Sequence, residues 1–298
     1  MLVEANGIAG IVFRAAKRVF LLLMSAAALL YLAACAYMWG TQRQRIFEPT
    51  PQFEITPDRV GIEHEEVRIP SGSGAERGEL YAWWIPADHS DAPTLLYMHG
   101  NDKNIGHDHD INNAVRMHGQ GYNLLMVDYR GYGKSTGGEP SETKVYEDAE
   151  AAWNYLLKRR SMPQRTFIYG HSLGGAIAID LAIHHPEAAG LIAESTFTSM
   201  SDMGRREYNY LNYMPVSWLL NQRFDSLDKV GKLKIPVLFI HGTLDRRIPW
   251  QMSQQLFDKA PQPKYLQLIE GGEHSNSSSI AWLEYRDALN AFVQKYAH

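Results

Sequence analysis

Thr166-Phe167-Ile168-Tyr169-Gly170-His171-Ser172-Leu173-Gly174-Gly175-Ala176-Ile177-Ala178 is the stretch on which the reading of this chain turns. A short apolar run ends at Gly170, and a helix-compatible run of small and apolar residues follows Leu173. Ser172 stands between them with a glycine two residues to either side. That spacing suits a sharp strand-to-helix turn, strained at the serine and packed too closely for side chains at Gly170 and Gly174. Such a turn lifts the Ser172 hydroxyl into the open. It also aims the first N–H groups of the helix at whatever reacts there. A glycine-rich turn with an incidental serine shares the local spacing, so the flanking elements carry the decision.

Outward from this turn, apolar runs alternate with helical stretches. Residues 94–98, 123–127, 191–193, 236–240 and 265–269 are short runs dominated by apolar residues. Continuous rather than alternating runs indicate strands buried on both faces, as in a parallel sheet. Residues 65–69 alternate and break at Pro70-Ser71-Gly72, and residues 79–85 form a strand closed by Pro86. Ser141 opens a helix to about Lys158, with Val145, Ala149, Ala152, Trp153 and Leu156 on one face. A last helix covers roughly 280–296. Strands alternating with helices build right-handed βαβ units, so the expected class is α/β with a mostly parallel, doubly wound sheet. Ligands bind such sheets beyond the carboxyl ends of the strands. Residues 197–232 break the alternation and are rich in Met, Tyr and Trp. They should sit over that rim, either as ordinary helix packing or as a small cap around an apolar pocket.

A serine hydroxyl is a poor nucleophile at neutral pH and needs a base that is itself oriented by a carboxylate. Among twelve histidines, His184, His185 and His298 read as surface positions, and His99 and His241 as structural residues ahead of glycines. His274, in a glycine-rich loop after the last strand, opens onto the Ser172 rim and is the expected base. Asp245, in the loop after the preceding strand, is the expected carboxylate, with Glu194 as its rival. The order Ser172, Asp245, His274 is the one that accompanies such elbows. The backbone N–H groups of Leu173 and Asn101 are the expected oxyanion donors. His107-Asp108-His109-Asp110 hints at a metal, but neighbours on a helix point to different faces. The run reads better as a helix start, and neither metal nor cofactor is expected.

Residues 19–39 carry no charge, and as a helix they span about 30 Å, the apolar thickness of a bilayer. Arg14, Lys17 and Arg18 precede the run, Arg43 and Arg45 follow it, and Tyr37 and Trp39 stand where an interfacial aromatic belt would be. The expected organisation is a membrane anchor at 1–45 and one domain at 46–298, with 43–57 as a juxtamembrane linker. A competing reading is a secretory signal ending at Leu32-Ala33-Ala34-Cys35 with a lipidated Cys35. The tighter basic group on the N-terminal side favours a cytoplasmic N-terminus and an extracytoplasmic main domain.

The 298 residues, 45% of them hydrophobic, suit one large α/β domain or two small ones. A formal net charge of -4 gives no argument for nucleic acid. The single cysteine excludes an intrachain disulfide and any multi-cysteine metal site. The motifs His99-Gly100-Asn101, Asp128-Tyr129-Arg130-Gly131-Tyr132-Gly133-Lys134-Ser135 and Gly170-His171-Ser172-Leu173-Gly174-Gly175 stand with His241-Gly242-Thr243-Leu244-Asp245 and Gly272-Glu273-His274. With these, the chain from about Arg45 onward resembles the α/β-hydrolase superfamily. It looks most like the membrane-anchored branch related to serine-aminopeptidase-like hydrolases, monoacylglycerol lipases and protein depalmitoylases. The resemblance implies Ser172 as nucleophile, His274 as base and Asp245 as acid. Asp102-Lys103 departs from the small residues relatives often carry there. The expectation is a membrane-tethered serine hydrolase that cleaves esters or thioesters of small-molecule or lipid-like acyl substrates. The alternatives are a serine peptidase of aminopeptidase type and a non-catalytic binding module on the same fold.

Overall fold

The computed structural model describes residues 2–159 and 161–298. Helix α1 (Leu2–Ile46) contains the charge-free run and continues past it, so residues 43–46 are its last turn rather than linker. The rest of the expected linker is not free either. Strand β1 (Glu48–Pro49) is stitched to the domain, as shown below. Strands β2 (Glu65–Ser71), β3 (Gly78–Ile85) and β4 (Thr94–Met98) follow, then β5 (Asp102–Lys103), helix α2 (Asp108–His118) and β6 (Asn123–Val127). Helix α3 (Glu142–Lys158), β7 (Thr166–His171), α4 (Leu173–His184) and β8 (Gly190–Glu194) form the middle of the domain. The insert supplies α5 (Met200–Glu207), α6 (Val216–Leu219) and α7 (Ser226–Val230). Strand β9 (Val237–Gly242), α8 (Trp250–Lys259), β10 (Lys264–Ile269), α9 (Ser277–Ile280) and α10 (Trp282–Tyr296) complete the order. The expected last helix is α10, and the short α9 precedes it, parted from it at Ala281, whose φ of −128° and ψ of 59° are not helical.

Among the described residues, eight strands form one sheet in the order β10-β9-β8-β7-β4-β6-β3-β2. β3 runs antiparallel to both neighbours, and the other pairings are parallel. β4, β7, β8 and β9 are buried along their whole length, which is why they read as unbroken apolar runs. β2 runs through Pro70, where the sequence suggested a break. It is an edge strand, and an edge tolerates a residue without an N–H. One face of the sheet packs on α3, α4 and α8, through Trp153, Ile177, Leu181 and Leu256. The other packs on α2 and α10, through Ile111, Met117, Leu289 and Phe292. Ser141 caps α3, its hydroxyl accepting from the Lys144 N–H.

The segment read as a linker is held by specific bonds. β1 pairs in parallel with β5, Glu48 opposite Asp102 and Pro49 opposite Lys103. The Asn104 amide donates to the carbonyls of Thr50 and Gln52 at 2.9 and 2.7 Å. Phe47 is buried against Phe224, ring centroids 6.1 Å apart. The insert divides in two. α7 packs on α4 as a core helix, whereas α5 lines the cleft at the carboxyl end of the sheet and α6 packs on α1.

Candidate active site

Ser172 joins β7 to α4 with φ 56° and ψ −118°, a backbone conformation rare for a non-glycine residue. The Ser172 N–H donates to the Glu194 carbonyl at 2.9 Å, and the Thr196 hydroxyl donates to the Ser172 carbonyl at 2.9 Å. A Cβ on Gly170 would fall 2.1 Å from the Gly174 oxygen, and one on Gly174 would fall 2.1 Å from the Met98 oxygen. Both glycines are therefore steric requirements of the turn, as their spacing implied.

His274 and Asp245 reach this turn from the loops after β10 and β9. His274 Nε2 lies 3.1 Å from the Ser172 hydroxyl, and His274 Nδ1 lies 2.8 Å from Asp245 Oδ2. An ionised carboxylate only accepts, so Nδ1 carries the hydrogen and Nε2 is left to accept from the serine. Asp245 is fully enclosed at its side chain and is met by four donors. Its Oδ1 accepts from the N–H groups of Arg247 and Ile248, and its Oδ2 from His274 and from His241 Nε2 at 3.1 Å. Burial alone would raise this carboxyl. The hydrogen bonds from His241 and His274 outweigh it and hold the group far below the usual carboxylate range.

His241 was read from sequence as a structural residue, yet it touches the carboxylate directly. Its Nε2 is shared between Asp245 and the Ile248 carbonyl, so the hydrogen sits there, and Nδ1 accepts from Ser253 at 2.7 Å. No local pattern announced this contact, since His241 ends β9 and Asp245 lies in the loop after it, where a four-residue spacing does not bring side chains together as it does on a helix. His171 and His109 clamp the backbone of the His274 loop. His171 Nε2–H donates to the His274 carbonyl at 2.9 Å, and His109 Nδ1–H to the Ser275 carbonyl at 2.7 Å. The His109 and His171 rings stack at 4.2 Å, and the His171 and His274 rings lie at 5.0 Å. Burial pushes His109 down to about 4 and His171 well below its ordinary value, so both stay neutral.

Glu194, the rival acid, makes no contact with the imidazole. Its carboxyl is buried and accepts from the hydroxyls of Tyr169 and Tyr285. Burial raises its pKa against the pull of those two donors. The run from His107 to Asp110 divides only in part, since the neighbours His107 and Asp108 face the same group. His107 and Asp108 approach Glu54 at the surface, while His109 turns to Ser275 and Asp110 accepts from the Tyr97 hydroxyl at 2.8 Å.

The loop after β4 passes beside the serine, where a Cβ on Gly100 would lie 3.7 Å from Ser172 Cβ. The Tyr129 hydroxyl donates to the His99 carbonyl at 2.9 Å, and the Tyr132 hydroxyl to the Asn101 carbonyl at 2.7 Å. The Asn101 N–H has no acceptor among the described residues. Leu173 opens α4, so its N–H lacks an intrahelical partner. The two tyrosines give the Asp128-to-Ser135 motif a physical role that spacing alone did not reveal. Asp102 and Lys103, the departure noted above, form β5 and carry β1 rather than entering the cleft.

Ser172, Leu173 and Asn101 share a cleft of about 340 Å³. Phe197, Met200, Met203, Tyr208 and Leu211 give it an apolar wall, and Met38, Gln42, Arg45 and Ile46 of α1 form another side. On the far side of His274 lies a second cavity of about 600 Å³, lined by Arg116, Arg246, Arg247 and Glu273.

Comparison with known proteins places these features in a wider set. The family model described as Serine aminopeptidase, S33 matches residues 90–228. The uncharacterized protein Rv2307c of Mycobacterium tuberculosis is 30% identical over 263 residues, covering 88% of this chain and 90% of that protein. The lysophosphatidylserine lipase ABHD12 of Danio rerio is 31% identical over 237 residues, covering 73% of this chain and 60% of that protein. The solved structure of the Pyrococcus furiosus esterase Pf2001 superposes with a TM-score of 0.69 at 21% identity, covering 85% of this chain and 99% of that one.

Proposed function

Because the chain belongs to the α/β-hydrolase superfamily, we propose that it is a membrane-tethered serine hydrolase that cleaves carboxylic ester or thioester bonds of acyl substrates. The observation that carries this reading is the unbroken contact line from the Ser172 hydroxyl through His274 to Asp245, at the floor of a cleft with an apolar wall. Ser172 Oγ attacks the substrate carbonyl while His274 Nε2 takes its proton. Asp245 stabilises the imidazolium so formed. The N–H groups of Leu173 and Asn101 receive the oxyanion, each donor being worth about 3 kcal/mol of barrier. His274 then returns the proton to the leaving alcohol or thiol, and a water activated by the same imidazole releases the acyl group. The Danio rerio lipase supports an ester-cleaving activity, and the Pyrococcus furiosus esterase shares the fold.

The tether is α1, whose residues 10–46 have a peak mean hydropathy of 2.4 and are long and apolar enough to cross a membrane. In this reading residues 1–45 are the anchor, 46–298 the hydrolase domain and the cap lies within 197–232. The test is turnover of p-nitrophenyl butyrate by wild type and Ser172→Ala. A loss on the order of 10⁴–10⁶ in kcat is expected, and equal rates would sink the assignment.

An aminopeptidase reading has one observation of its own. Glu48 and Glu207 line the cleft, and their carboxylates would hold a substrate ammonium. Faster cleavage of aminoacyl amides than of acyl esters would favour it.

A further inference from the structure

The cap and the last turns of α1 are not independent. Gln42 is buried, and its amide is spent on the cap: Nε2 donates to the Leu219 carbonyl at 2.6 Å, and Oε1 accepts from the Asn221 N–H at 2.9 Å. The Asn221 amide donates back to the Trp39 carbonyl at 3.4 Å. These bonds fix the height of the cap along α1. Trp39 ends the apolar run, ahead of Gly40, Thr41, Gln42 and Arg43, and so marks the edge of the hydrocarbon layer. Ile46 lies about 10 Å further along the helix axis, and the headgroup zone on each side of a bilayer is about 5–8 Å thick. The α1 side of the Ser172 cleft, from Met38 to Ile46, therefore begins at the hydrocarbon edge and climbs through the headgroups.

The cap surface matches that level. Trp218 is 89% exposed and Tyr213 88% exposed, and Tyr37 and Trp39 stand exposed on the neighbouring helix. Rings with an apolar body and one polar handle are stabilised at the headgroup boundary, not in open water. Arg43 and Arg45 are exposed in the same turns, where cations reach lipid phosphates.

We propose that the cap and the end of α1 form one membrane-facing surface, seated by Tyr213 and Trp218 in the headgroup layer. The Ser172 cleft then takes a long-chain acyl amphiphile directly from the bilayer. The substrate part rests on the hydrolase reading above. The surface part does not, and the two can be tested apart.

The full-length protein is placed in phosphatidylcholine vesicles whose acyl chains carry bromine, and tryptophan emission is compared for wild type and Trp218→Phe. Trp218→Phe is expected to lose a bromine-quenched component, and identical quenching in the two would overturn the surface. In parallel, the double variant Tyr213→Ser with Trp218→Ser is assayed on a vesicle-borne palmitoyl ester and on water-soluble p-nitrophenyl butyrate. kcat/KM on the vesicle substrate is expected to fall at least about fivefold through KM, with the soluble ester within about twofold. An equal fall on both esters, or no fall on either, would overturn membrane delivery. A change in oligomeric state with unaltered quenching would assign the face to a second copy instead and also overturn it. Should wild type cleave neither ester, the hydrolase reading fails while the quenching result still decides the surface.

Discussion

Asp245→Asn tests the geometry of the site at its most constrained point. Four hydrogens converge on the carboxylate, from His274 at 2.8 Å, His241 at 3.1 Å, and the N–H groups of Ile248 and Arg247 at 2.8 and 2.9 Å. A carboxylate accepts all four, whereas an amide has one oxygen and two hydrogens of its own. If the amide oxygen keeps Arg247 and Ile248, its NH₂ faces His274 Nδ1. That nitrogen must then give up its hydrogen, the hydrogen moves to Nε2, and no base faces Ser172. If the amide turns over, its hydrogens meet the N–H groups of Arg247 and Ile248, and the loop is pushed out of place. Loss of the base through the wrong tautomer costs about 10⁴ in kcat, or about 5.5 kcal/mol of barrier. The assay is kcat on p-nitrophenyl butyrate beside a thermal melt. Retention of more than about a tenth of wild-type kcat with an unchanged Tm would refute the reasoning. The matched control is Glu194→Gln. With Tyr169 and Tyr285 occupying its carboxyl, it should keep kcat within about tenfold.

His241→Leu removes one donor to the Asp245 carboxylate, a bond to a charged group worth about 1.5–3 kcal/mol. kcat should fall about tenfold to a hundredfold with KM unchanged, as steady-state kinetics will show. Gly174→Ala drives a Cβ to 2.1 Å from the Met98 oxygen and 2.6 Å from the His99 oxygen, both backbone atoms. The variant should lose its cooperative melt or its soluble yield, and a normal melt would contradict the packing. His109 titrates near 6.5 in an unfolded chain and at about 4 when folded. Below pH 6.5 the unfolded chain takes a proton that the folded chain refuses. Stability should therefore drop by about 3 kcal/mol as pH falls from about 6.5 to about 4, and that part of the slope should vanish in His109→Gln.

The parallel part of the sheet was legible because buried strands have no polar face to interrupt them: β4, β7 and β9 announce themselves as apolar runs ending at a rim. The Ser172 turn was legible because its glycines are demanded by contacts within a few residues or across one strand. Bonds made at long range were not. Nothing in residues 43–57 says that they pair with Asp102 and Asn104, since prolines look the same in a loose linker and a stitched one. His241 was passed over because a histidine before a glycine at a strand end gives no hint of its neighbour four residues on. Tyr129 and Tyr132 were visible as a motif, but their acceptors, the carbonyls of His99 and Asn101, lie about thirty residues upstream. The double duty of α1, as apolar span and as a side of the cleft, depends on one glutamine meeting a segment that follows it by 177 residues.

That glutamine changes how the N-terminal helix should be pictured. A leash would let the domain swivel and sample every angle above a lipid sheet. A side chain bonded at both ends of its amide to another segment gives a fixed mount, with one heading and one height. With α1 as the proposed tether, cutting the chain just after residue 42 would therefore do more than set the protein loose: it would take the glutamine away with the anchor and leave the roof of the cavity without a rafter, so the freed protein would be a different catalyst from the moored one.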